Sequence, residues 1–207
     1  MNNTSKQKLP ITSIDQLDLD GTYTYADYIT WQFNERVELI LGKIFKMSPA
    51  PNTSHQRISR NLISLFDNYL QNKSCEVFSA PFDVRLPNPK LKNGKILNVV
   101  QPDLCVVCDP SMIDAAGCTG APDLIIEILS DSTAKIDRKD KFDLYEQNKV
   151  KEYWIIDPYY KTLTVNILGE NQKYEILYRE AMAPEKIKVF ILKDLIINLS
   201  KVFKGIS

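Results

Sequence analysis

Two carboxylates stand inside stretches that should otherwise be buried strands. Glu127 lies in DLIIEIL (residues 123–129), flanked by Leu124, Ile125, Ile126, Ile128 and Leu129. A strand this apolar is expected to be covered on both faces. An isolated carboxylate there is costly to bury, so it needs a cation, a donor network or a shifted pKa. The plainer account is an ion pair inside the fold, or a strand end that reaches solvent. Asp103 repeats the pattern in VVQPDLCVVC (residues 99–108), directly after Pro102. Proline has no N–H for a ladder bond, so this point is expected to be an edge, a bulge or the start of a strand. A carboxylate at such a break, close to another on an adjacent strand, suits a hard divalent cation. Mg²⁺ (or Mn²⁺) takes one or two carboxylates and completes its shell with water and substrate phosphate. Two unrelated buried ion pairs would leave the same pattern.

Other residues are weighed against simpler roles. Lys141 follows Asp137 by four residues, the spacing of an ordinary helical surface pair. His55 is the single histidine and the one side chain suited to act as a base near neutral pH, although a lone histidine is more often a cap or surface residue. Asp83 and Arg85 share a strand face and are expected to pair with each other. Lys90, Lys92 and Lys95 could touch a phosphate backbone, but a solvated loop is the simpler reading. Tyr153-Trp154 and Tyr159-Tyr160 invite base stacking, yet alternating aromatics in a strand such as EYWIID usually pack a core. Cys105 and Cys108 have CxxC spacing inside an apolar strand, with no second pair to complete a zinc site.

The 207 residues fit one domain, and 44% hydrophobic content supports a core. Lys plus Arg equals Asp plus Glu, which argues against binding nucleic acid by bulk charge. No apolar run of membrane-spanning length occurs, and the N-terminus lacks a signal-like core. A cytoplasmic location is therefore expected, with all four cysteines reduced.

The elements that must position these residues follow from periodicity and turn chemistry. Residues 1–21 read as a flexible lead-in and 22–207 as a single domain. Thr24 and Asp27 are spaced as a capping box for a short helix to about Asn34. Residues 37–47 read as two short strands turning at Gly42. Ile58, Leu62, Leu65, Phe66 and Tyr69 predict a helix from Ser54 to Gln71. Strands are predicted at 76–86, 99–108, 123–129 and 152–156. A charged helix is expected at 134–148, capped from Asp131-Ser132-Thr133. A hairpin through Gly169 and an apolar tail, 187–203, that packs back on the domain complete the chain. This order points to an α/β fold with a mixed central sheet.

Taken in order, QPDLCVV, GAPDLIIEILSDST, the spaced Asp137 and Lys141, and KVKEYWIIDP resemble the Uma family of restriction-endonuclease-like proteins. That family belongs to the PD-(D/E)xK nuclease superfamily. VELILGKIFKMSPAP, the helix containing His55, and DLIINLSKVF agree with it, so the resemblance spans roughly residues 22–204. It implies a restriction-endonuclease-like core with added N-terminal and C-terminal β elements. It also implies Asp103 and Glu127 as metal ligands, Glu38 as a further acidic member, and DNA as substrate. One departure stands out: the superfamily's common lysine two residues after the glutamate is here Leu129. The resemblance puts Lys141, from the following helix, in its place. His55 and Asp83 complete the candidate set. By analogy with restriction-type nucleases a homodimer is expected. A non-catalytic relative that keeps the fold as a DNA-binding or interaction module is the main alternative. A carboxylate-pair sugar hydrolase is a weaker one, because that class wants an exposed cleft.

Overall fold

A computed structural model describes residues 10–47, 51–87 and 95–206. A 3₁₀ turn at Ile14–Gln16 and a single helical turn, α1 (Tyr25–Tyr28), open it. Strands β1 (Val37–Ile40) and β2 (Lys43–Lys46) form a hairpin, and α2 (Thr53–Leu70) follows. Then come β3 (Glu76–Ser79), β4 (Val84–Pro87), β5 (Ile96–Val100) and β6 (Leu104–Val107). Short β7 (Ile113–Asp114) and β8 (Gly117–Thr119) precede β9 (Leu124–Ile128). One helical run joins α3 (Ala134–Ile136), a π-helical turn (Asp137–Lys141) and α4 (Phe142–Gln147). The chain ends with β10 (Glu152–Asp157), the hairpin β11 (Thr162–Leu168) and β12 (Tyr174–Met182), the ribbon β13 (Lys186–Lys188) and β14 (Ile196–Asn198), and α5 (Leu199–Val202).

The strands form two mixed sheets and the small ribbon. One sheet has the order β2-β1-β5-β4-β8-β7, the other β12-β11-β10-β9-β6-β3. In the second sheet β9 and β10 are parallel, as a crossover through a helix requires, and their neighbours are antiparallel. The two faces of this sheet bury different clusters. Along β9, Leu124, Ile126 and Ile128 face α2, α5 and the C-terminal ribbon. Ile125, and Leu129 just past the strand, face the other sheet and α4. Glu127 falls in register with Ile125 and Leu129, so the period of two directs it between the sheets.

Several expectations change. The run 76–86 is two strands, because the chain leaves one sheet after Ser79 and joins the other at Val84. The run 99–108 is likewise split at Gln101-Pro102-Asp103, where it crosses between sheets. The first helix stops at Tyr28 although its Thr24/Asp27 capping box forms as expected. The segment read as a flexible lead-in is packed from Ile14: Ile14 and Leu17 are buried with Val37, against Tyr23 and Trp31. Cys75 and Cys108, expected as thiols, form a disulfide. The β3/β6 register pairs Glu76 with Val107, and one step outward puts the two cysteines opposite each other. Cys105 stays a buried free thiol on the opposite sheet face, so the CxxC pair never converges. Lys90 and Lys92 lie outside the described residues; Lys95 is exposed. No helix among the described residues is long and apolar enough to cross a membrane.

Candidate active site

Strand register brings the two sequence-flagged carboxylates together. In β6 and β9, Leu104 faces Ile126, and one residue further the register sets Asp103 opposite Glu127. The Asp103 amide lies 3.4 Å from Glu127 Oε2, and Asp103 Oδ2 accepts the Ile128 amide at 2.8 Å. The break at Pro102 thus turns the Asp103 carboxylate toward the end of β9. From the start of α2, His55 Nε2 reaches the same Asp103 oxygen at 3.1 Å. His55 is buried rather than the expected surface residue, and its Nδ1 has no hydrogen-bond partner among the described residues.

Lys141 is not a surface residue either. Its ammonium is 3.0 Å from Glu38 Oε1, 3.0 Å from Glu127 Oε1 and 3.5 Å from Asp137 Oδ1. The Asp137 pair predicted by spacing does exist, but it is enclosed. The π turn that carries both residues widens the helix here, a feature found often at functional sites. One turn on, Tyr145 donates its hydroxyl to Glu127 Oε1 at 2.8 Å. Glu38 reaches the cluster from β1 and also accepts the Gln101 amide at 2.8 Å.

The charge balance is uneven. Three enclosed carboxylates surround one ammonium, and Asp103 adds a fourth acid at the rim. Burial pushes the Glu127 carboxyl well above its ordinary range; Lys141 opposes this, while Asp137, Asp103 and Glu38 reinforce it. Asp137 is raised for the same first reason, burial, again opposed by Lys141. For Lys141 burial acts downward, but Glu127, Glu38 and Asp137 outweigh it and hold the ammonium well above its usual range. The surrounding carboxylates thus favour the charged form of Lys141.

The Asp83/Arg85 pair predicted from sequence does not form. Arg85 instead meets Asp114 at 2.6 Å. Asp83 accepts from the Gln101 side chain at 2.7 Å and from the Tyr28 hydroxyl at 3.4 Å. Its carboxyl is raised by burial, against those two hydrogen bonds. Among the described residues Asp83 thus touches the cluster through Gln101. Gln101 and Tyr145 were not picked out by sequence. Tyr145 had a signal, the repeated four-residue spacing Asp137-Lys141-Tyr145 that puts all three on one helix face; Gln101 had only its place beside Pro102.

Glu38, His55, Gln101, Asp103, Glu127, Asp137 and Lys141 line a groove of roughly 1570 Å³, together with Arg36, Lys46, Arg60, Ser130, Tyr159 and Tyr160. Among the described residues no three His, Cys, Asp or Glu side chains converge as a metal-ligand group. A hard cation that needs only one or two carboxylates fits the Asp103–Glu127 pair, and the surplus of acids over ammonium gives it a reason to bind.

The fold is that of a solved structure whose description names a nuclease. A crystal structure described as a "putative nuclease belonging to DUF820" from Anabaena variabilis superposes with a TM-score of 0.66, covering 89% of this chain and 99% of that one at 19% identity. The model of the Uma2 family, described as "Putative restriction endonuclease", matches residues 25–188, and the chain belongs to that family. Two uncharacterized proteins of Synechocystis sp. are similar. One is 30% identical over 132 residues, 63% of this chain and 65% of its own length. The other is 28% identical over 172 residues, 75% of this chain and 93% of its own length. The family supports an endonuclease-type hydrolase.

Proposed function

We propose that this chain hydrolyses DNA phosphodiester bonds, with Asp103 and Glu127 holding Mg²⁺ or Mn²⁺. The observation that carries the reading is the Lys141 ammonium, buried 3.0 Å from both Glu38 and Glu127 on the floor of an open groove. A bound ion would supply a more acidic water and offset charge on the scissile phosphate. Lys141, its charged form favoured by the acids around it, would stabilise negative charge building on the phosphate oxygens. Glu38 and Asp137 hold the lysine, Tyr145 fixes one oxygen of Glu127, and His55 fixes one oxygen of Asp103. Asp83 sets Gln101, whose amide steers Glu38.

One observation favours a rival reading, a non-catalytic DNA-binding module: Lys141 is fully caged, so its charge is already satisfied by carboxylates. Nicking of supercoiled and linear DNA, with Mg²⁺, with Mn²⁺ and with chelator, separates the two. The nuclease reading expects metal-dependent nicking by the wild type and a loss of about 10²–10³-fold or more in Glu127→Gln. If neither metal yields cleavage that Glu127→Gln removes, the non-catalytic reading stands.

A further inference from the structure

The groove has a feature that phosphate chemistry does not use. Tyr159 is 83% exposed and Tyr160 66% exposed, whereas Tyr153 and Trp154, in the strand just before them, are fully buried. The two exposed rings stand edge to face, with centroids 4.8 Å apart and planes at 89°. They sit on a fixed turn: Asp157 Oδ1 accepts the Tyr159 and Tyr160 amides at 3.0 and 3.1 Å, and Arg138 holds the other Asp157 oxygen at 3.2 Å. In the parallel β9/β10 register Glu127 lies beside Ile155. Asp157 is two residues further along, or about 7 Å at the usual strand rise. Both tyrosines line the same groove as Asp103 and Glu127.

The charge of that groove narrows what it can grip. Among the described residues four Lys or Arg side chains line it against seven Asp or Glu, and Lys141 is caged by three of those acids, Glu38, Glu127 and Asp137. Intact duplex is held chiefly by cations on its phosphates, and this surface offers few. Base–aromatic stacking needs no such charge and accepts any base. We propose that Tyr159 and Tyr160 are a stacking platform for unpaired bases, so that the site takes single-stranded DNA or frayed strand ends in preference to intact duplex. This rests on the nuclease reading for its substrate class, but its test does not require cleavage.

The test is fluorescence anisotropy in chelator, with the full chain, labelled oligo-dT and a mixed-sequence duplex of equal length. Oligo-dT is expected to bind more tightly than duplex. Tyr159→Ala and Tyr160→Ala are each expected to weaken oligo-dT binding by about 5- to 150-fold, the range of one stacked base. Tyr159→Trp and Tyr160→Trp should retain binding, and the exposed side chains should leave thermal melting unchanged in every variant. Duplex binding as tight as oligo-dT, or alanine variants that bind like wild type, would overturn the proposal. So would oligo-rU outcompeting oligo-dT, or an alanine variant that changes the sedimentation coefficient, which would mark the pair as a contact between copies. Tyrosine-dependent binding in a protein that cleaves nothing with metal would sink the nuclease reading and leave the platform standing.

Discussion

Two buried glutamates on adjacent strands have opposite fates. Glu127 on β9 points between the sheets, while Glu152 on β10 points to the other face, toward α2 and the C-terminal ribbon. Glu152 is fully enclosed, and each of its oxygens has a neutral donor: the Trp154 indole N–H at 2.7 Å and the Ile191 amide at 3.0 Å. Burial raises its pKa, against those same backbone and side-chain hydrogen bonds. Glu127 shares one ammonium with other acids and opens on a groove. Burial of a carboxylate therefore does not mark a site. What sets Glu127 apart is a counter-charge shared with other acids beside an open groove.

The sharpest way to break this contrast is to remove each charge in turn. Glu127→Gln is expected to abolish metal-dependent cleavage, by about 10²–10³-fold or more, while leaving the melting temperature near wild type or higher, because it lowers the acid surplus. Glu152→Gln should do the reverse. An amide turns an N–H toward one of two donors and leaves a buried group unsatisfied, a cost of about 1–3 kcal/mol. Cleavage at a temperature where that variant is folded should be unchanged. Melting curves and nicking rates read both; a Glu152→Gln protein without activity but with normal stability would dissolve the distinction.

The next test concerns the cation. Lys141→Ala leaves Glu38, Glu127 and Asp137 facing one another without a counter-charge. Breaking a buried pair in this way costs about 3–5 kcal/mol. Cleavage should be lost, yet added Mg²⁺ should still raise the melting temperature, because ligand binding stabilises the folded form. Cleavage at the wild-type rate would return Lys141 to a purely structural role.

How much of this was legible depends on what each residue's neighbours in sequence could reveal. Glu127 and Asp103 stood out because an apolar run makes a carboxylate conspicuous, and Pro102 announced a break. The break turned out to be a passage between sheets, and a similar passage at residues 80–83 carries the same kind of signal in Pro81, although the apolar residues on either side read as one strand. The enclosure of Lys141 could not be read, since Asp137-Lys141 spacing is identical for a surface pair and for one that three elements fold around. His55 suffered the same way: the α2 N-terminus looked solvated until β6 placed Asp103 against it. The Cys75–Cys108 link spans 33 residues, and only strand register discloses it.

The smallest effect, and the finest probe of the contrast, is in pH. Folding raises the Glu127 pKa, so its contribution to the stability of the metal-free protein is fully present below the ordinary value of 4.5 and is lost as pH rises through the raised one. Lys141 is also raised, so its contribution is intact across this window and is lost only above its ordinary 10.5. Metal-free protein should therefore become less stable as pH rises from the ordinary carboxylate range through neutrality. Mg²⁺ should offset more of that loss at the upper end, where it no longer competes with a proton. Glu152, Asp137 and Asp83 are raised as well and add slopes of the same sign, and Glu152 is fully enclosed. Melting temperatures across this window, with and without Mg²⁺, separate Glu127 from the other raised acids. In Glu127→Gln the metal-sensitive part of the slope should vanish and the metal-insensitive part remain. A metal effect on stability that persists unchanged in Glu127→Gln would place the ion elsewhere.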